Sequence, residues 1–115
     1  MISDELQYQV LRLLENDPEM SQRQMARTLG LSVGKTNYAL KALLERGWVK
    51  AQNFRRADQR AGYLYELTPG GLQEKSRLAY RLLKRKRAEH EALMAEIEEL
   101  RSEVRGMQKT HPDAP

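Results

Sequence analysis

Apolar positions recur along this chain at two different spacings. Leu6, Val10, Leu13 and Leu14 follow one helical stripe, opened by Ser3 with Asp4 and Glu5 behind it and closed at Asn16, Asp17 and Pro18. Ser21 and Gln24 form a capping-box pattern ahead of a short second helix whose inward face is Met25, Ala26 and Leu29. Gly30 suits a left-handed C-terminal cap, Leu31 follows as a buried pin, and Ser32 caps a third helix. That helix turns Thr36, Leu40, Leu43 and Leu44 inward and stops at Gly47. The spacing then changes. Trp48 to Phe54 reads as a strand, 55–62 as a charged loop, and Tyr63, Tyr65 and Leu67 alternate as a second strand. Thr68-Pro69 is a cap followed by proline at the first helical position, and after Gly70-Gly71 no breaker appears before Gly106.

The predicted order is three helices, a hairpin and a long helix. The fold class is mainly α with a small β-hairpin (α+β): a winged helix-turn-helix at 1–71, a long C-terminal dimerisation helix at 72–105, and a disordered tail at 106–115.

Composition narrows the function classes. The absence of cysteine removes disulfides, thiolate metal sites and thiol redox sensing. The N-terminus lacks a signal-peptide pattern and no stretch approaches a membrane span, so the expected location is the cytoplasm, at the nucleoid. No glycine-rich phosphate loop or carboxylate pair stands out, so an enzyme, a cofactor and a bound metal are not expected. Charge is uneven: through Arg87 there are 17 Lys and Arg against 9 Asp and Glu, and from Ala88 onward 3 against 7. A basic front attracts polyanions, of which nucleic acid is the commonest in the cytoplasm.

The candidate chemistry lies in the third helix and the wing. With Thr36, Leu40 and Leu43 inward, Gly34, Lys35, Asn37, Tyr38 and Lys41 face outward. Lys35 can reach guanine or phosphate, and Asn37 favours adenine. Tyr38 offers a hydroxyl to phosphate or an apolar contact to a thymine methyl, or else packs on the second helix. Gly34 lets the backbone come close, and Ser32 with its N–H neighbours suits a phosphate at a helix N-terminus. In the loop, Arg55, Arg56 and Arg60 can lie along the backbone or enter a narrow minor groove, with Asp58 placed to orient Arg60. The expected partner is double-stranded DNA. The alternative is a winged helix used as a protein-docking module, which would more often expose an apolar patch on this face.

From Leu72 a heptad can be assigned, with Leu72, Ala79, Lys86, Leu93, Leu100 and Met107 at d and Ser76, Leu83, His90, Ile97 and Val104 at a. Leu at d with β-branched residues at a, from Leu93 to Val104, favours a parallel two-stranded coiled coil. Leu83, His90, Leu93, Ile97, Leu100 and Val104 are the candidate homodimer seam. His90 either fixes register there or responds to pH. The basic run at Lys84–Arg87 touches DNA backbone or is a solvated face.

Residues 6–75 resemble the winged-helix domain of the MarR family of bacterial transcriptional regulators. The resemblance rests on LGLS at 29–32, LKALLERGWV at 40–49, DQR at 58–60 and LTPGG at 67–71. The stretch SVGKTNYALKALLERGWVK at 32–50 is similar to a short branch of that family associated with exopolysaccharide gene clusters. The resemblance implies a dimeric, repressor-type regulator on a near-palindromic operator, with Lys35, Asn37, Tyr38 and Lys41 in the groove and Arg60 on the wing. That family usually carries a further N-terminal helix that lines a ligand pocket. Little chain precedes Leu6 here, and the sequence assigns no small-molecule effector.

Overall fold

A computed structural model describes residues 2–55 and 61–110. Its elements run α1 (Asp4–Asn16), α2 (Gln22–Leu29), α3 (Val33–Glu45), β1 (Val49–Arg55), β2 (Ala61–Leu67) and α4 (Pro69–Thr110). This is the winged helix fold: three helices, an antiparallel hairpin, and a long final helix. Two compact units separate along the chain, Met1–Leu82 and Leu83–Pro115. Among the described residues no helix is long and apolar enough to cross a membrane.

In the first unit each short helix starts on a serine cap. Ser3 Oγ accepts from the Leu6 N–H, Ser21 Oγ from Gln24, and Ser32 Oγ from Lys35, each at 3.1 Å. Gln24 completes a capping box by accepting from the Ser21 N–H at 2.9 Å. Such caps satisfy N–H groups that a helix start otherwise leaves orphaned, each contributing about 1 kcal/mol.

The core joins Val10, Leu11 and Leu14 of α1, Met25 of α2, Ala39, Leu40 and Leu43 of α3, Val49 and Tyr65 of the hairpin, and Leu78 of α4. Burying a side chain of this kind stabilises by about 1.5–3 kcal/mol. Three details depart from the apolar pattern read above. Leu11 and Ala39 are fully buried, because neighbouring elements cover α1 and α3 over a wider arc than one stripe. Leu31, expected as a buried pin, is only half-buried; the turn is held instead by its N–H donating to Ala26 O at 2.9 Å. Strand β2 begins at Ala61, within the stretch read as loop, since pairing with β1 extends to Arg55↔Ala61.

The hairpin and α4 meet at Trp48. The Thr68 N–H donates to Trp48 O at 3.0 Å, while the Thr68 hydroxyl donates to Gly47 O at 2.6 Å and accepts from the Gly71 N–H at 3.0 Å. Gly47 has φ of 74°, the left-handed conformation that ends α3 without a Cβ penalty. The Arg46 guanidinium lies 5.1 Å from the Trp48 ring centroid.

The start of α4 belongs to the first unit, which therefore extends past the boundary expected at 71. Gly71, Glu74, Leu78 and Leu82 are its buried face, not the heptad positions Leu72, Ser76 and Ala79, because here the helix packs on its own domain. Ion pairs join this face to α1: Lys75 to Glu15 at 2.9 Å and Arg81 to Asp4 at 3.2 Å, with Glu74 3.6 Å from Arg81.

The second unit is the remaining length of α4. Helix continues through Gly106 to Thr110, where a tail was expected; one glycine costs a helix only about 1 kcal/mol. The rest of that expected tail, 111–115, lies outside the described residues.

Candidate nucleic-acid interface

Two short helices joined by a turn build the candidate surface. Gly30, at φ 68°, ends α2 in the left-handed region, and its N–H points back to Ala26 and Arg27 carbonyls. The chain then re-enters helix at Ser32. Thr36 anchors the new helix from inside: its hydroxyl is buried and donates to Ser32 O at 2.9 Å. Thr36, Ala39, Leu40 and Leu43 face the core, so the opposite side of α3 is left to solvent.

That opposite side carries the residues expected there. Gly34, Lys35, Asn37, Tyr38 and Lys41 are all exposed, with Tyr38 at 59%. The Ser32 side chain is engaged as the cap of α3, so its first duty is to the Lys35 N–H. Gly34 is not required by the fold. Its φ is not positive, and the nearest atom to an added Cβ is Ser32 Oγ at 4.0 Å. A glycine that weakens a helix yet relieves no clash within its own chain suits close approach by another molecule.

Asn37 and Tyr38 occupy different flanks of α3. Asn37 leans toward α2, where its Nδ2 donates to Gln22 Oε1 at 3.1 Å. Tyr38 borders a cleft with Ile2, Gln7, Ala42, Leu43 and Arg46, beside the start of α1. Gln22 was not among the expected site residues. Its position directly after the Ser21 cap reads only as a helix start, and its partner lies 15 residues away, on another helix.

On the wing, β1 and β2 pair from Val49↔Leu67 to Arg55↔Ala61, with Lys50 and Glu66 3.8 Å apart across the strands. The Tyr65 N–H donates to Pro18 O at 2.9 Å, tying the hairpin to the α1–α2 connection. Arg55 ends β1, and its side chain lies outside the described set. Arg56 and Arg60 lie outside the described residues.

The candidate seam lies along α4. Leu83, Leu93, Leu100 and Val104 are between 43% and 60% exposed within the chain, while Ile97 is half-buried and His90 exposed. Ile97, Leu100 and Val104 line one shallow apolar surface with Arg101 and Arg105. Arg105 is held on the helix by Glu98 at 3.0 Å.

Residues 3–50 match the family described as winged helix-turn-helix DNA-binding. No curated protein sequence matches the chain. Among solved structures, the chain is similar to the PcaV transcriptional regulator from Streptomyces coelicolor, determined with its natural ligand. The TM-score is 0.64 at 23% identity, over 94% of this chain and 75% of that one. ZitR from Lactococcus lactis gives a TM-score of 0.62 at 22% identity, over 92% of this chain and 80% of that one. A MarR/EmrR family transcriptional regulator from Acinetobacter sp. ADP1 gives 0.56 at 18% identity, over 89% and 76%.

Proposed function

We propose that this chain is a DNA-binding transcriptional regulator of the MarR type, which works as a homodimeric repressor. The observation that carries this reading is the helix-turn-helix. It is a capped, core-anchored α3 whose solvent face presents Lys35, Asn37, Tyr38 and Lys41, within a segment that matches a DNA-binding family. A helix held rigidly from behind, with polar and cationic groups in front, fits the major groove. Lys35, Asn37, Tyr38 and Lys41 lie in the groove, with Lys35 and Asn37 as the readers of base edges. The backbone at Gly34 and the Ser32 cap lie against a phosphate. Arg55, Arg56 and Arg60 grip the sugar-phosphate backbone from the wing.

One winged domain offers few contacts. Two chains paired through Leu83, His90, Leu93, Ile97, Leu100 and Val104 place two α3 helices on half-sites about one helical turn apart. The operator is then near-palindromic, and its occupation excludes polymerase. The exposed apolar side chains on α4 support pairing, since lone solvated helices seldom carry such a row. The sequence likeness at 32–50 further supports the branch associated with exopolysaccharide gene clusters.

The test is a binding comparison on duplex DNA. Lys35→Ala and Asn37→Ala each lose discrimination at one base position, by about 1–3 kcal/mol. Arg60→Ala weakens all sequences alike and flattens the salt dependence. Parent-like binding by both classes of variant defeats the assignment.

A further inference from the structure

The side chains of Asn37, Gln22 and Tyr65 form a chain of hydrogen bonds that joins α3, α2 and the hairpin. Asn37 Nδ2 donates to Gln22 Oε1 at 3.1 Å, and Gln22 Nε2 donates to the Tyr65 hydroxyl at 3.4 Å. Tyr65 is itself fixed, being 5% exposed and bonded through its backbone N–H to Pro18 O. Asn37, by contrast, is exposed, and neither its cap nor the core has a use for it.

With Gln22 Nε2 on the Tyr65 hydroxyl, Gln22 presents Oε1 to Asn37. Turned over by itself, the Asn37 amide would set its carbonyl oxygen against Gln22 Oε1, two acceptors with no proton between them. In the observed orientation one N–H is spent on Gln22. The other N–H and Oδ1 remain, and that pair matches adenine N7 and N6–H2. A side chain already held in its binding geometry also loses less rotamer freedom on contact.

We infer that Gln22 is a positioning residue for base readout, locking the Asn37 amide in its adenine-reading orientation with the Tyr65 hydroxyl as its brace. The inference rests on the reading above that α3 enters the major groove. It makes the hairpin a support for sequence choice as well as a grip on the backbone.

The full chain is tested by selection from randomised duplex DNA, with bound and unbound pools compared base by base. The position read by Asn37 is the one whose preference Asn37→Ala erases, by about tenfold. Gln22→Ala reduces preference at that same position by about three- to tenfold and leaves the other positions unchanged. Gln22→Glu restores it, because a carboxylate still accepts from Asn37 while the Tyr65 hydroxyl turns to donate; its added charge lowers affinity evenly across sequences. Tyr65→Phe gives a smaller loss of about twofold at that position alone. A purely structural role would lower binding to every sequence and would show no rescue by glutamate. Preference intact in Gln22→Ala but erased in Asn37→Ala overturns the positioning role and leaves the groove reading standing. If Gln22→Ala does not fold, an unchanged preference in Tyr65→Phe overturns it. A parent that selects duplexes while Asn37→Ala changes no position also overturns it. A parent that selects no duplex overturns the groove reading as well.

Discussion

Gly71 lies where the first turn of α4 passes over the backbone of Trp48. A Cβ added there would stand 2.9 Å from the Trp48 carbonyl carbon and closer still to its oxygen. Both atoms are main chain, so no rotamer change relieves the contact. The same carbonyl accepts the Thr68 N–H at 3.0 Å, and moving it loosens that bond. Overpacking of this kind costs about 1–3 kcal/mol, and a weakened hydrogen bond adds about 0.5–1.5 kcal/mol. Alanine's better helix propensity returns at most about 1 kcal/mol. Gly71→Ala is therefore destabilising by roughly 1–3 kcal/mol, or about 5–20 °C in Tm for a unit of this size. The neighbouring Gly70 is the control. Its added Cβ would meet Thr68 Oγ1 at 3.7 Å and Trp48 Cδ1 at 3.8 Å, ordinary contact distances. Gly70→Ala is neutral or stabilising by up to about 1 kcal/mol. Trp48 is the one tryptophan in the sequence, so thermal melts followed by its fluorescence report on this contact directly. A Gly71→Ala protein melting at or above Gly70→Ala would refute the reasoning.

Other outcomes follow from the same structure. Ser21→Ala removes the acceptor for the Gln24 N–H and half of the capping box, lowering stability by about 1 kcal/mol in urea titration without altering which bases are preferred. Leu40→Ala empties a fully packed site between helices and lowers stability by about 2–5 kcal/mol in the same assay. Arg81→Ala breaks exposed pairs to Asp4 and leaves the Glu74 carboxylate with Arg77; a loss of about 1 kcal/mol, shrinking in high salt, is expected. Truncation after Arg87 yields monomers in sedimentation that bind DNA weakly, and persistent dimers would place the interface elsewhere.

Local chemistry made much of this fold legible. Ser3, Ser21, Ser32, Gly30 and Gly47 each act within four or five residues of themselves, so their roles follow from spacing alone. The outward set on α3 was legible for the same reason, since helical period alone opposes Asn37 and Lys41 to Thr36 and Leu40. What stayed hidden depends on contacts between distant segments. Gly71 reads as a weak helix start until Trp48 is placed against it. Glu74 reads as one more surface carboxylate, yet it is 7% exposed between Arg77 and Arg81. Gln22 acquires a partner only when α3 folds back on α2. The heptad pattern ran too far toward the N-terminal end of α4 because a repeat cannot tell a helix packed on its own domain from one packed on a second chain.

The clasp at Trp48 and Thr68 has a bearing on how such a protein changes over generations. Both ends of the hairpin are pinned at one place, by Thr68 to Gly47 and Trp48, and the register is closed from Val49↔Leu67 outward. What lies beyond Arg55 and Ala61 can lengthen at small entropic cost, about 0.6 kcal/mol for each doubling of a loop. Insertions and new charges at the wing tip therefore leave α3 and its supports untouched. On the proposed reading, in which the wing grips the backbone and α3 reads bases, lineages can retune how strongly the protein holds any DNA separately from which DNA it prefers.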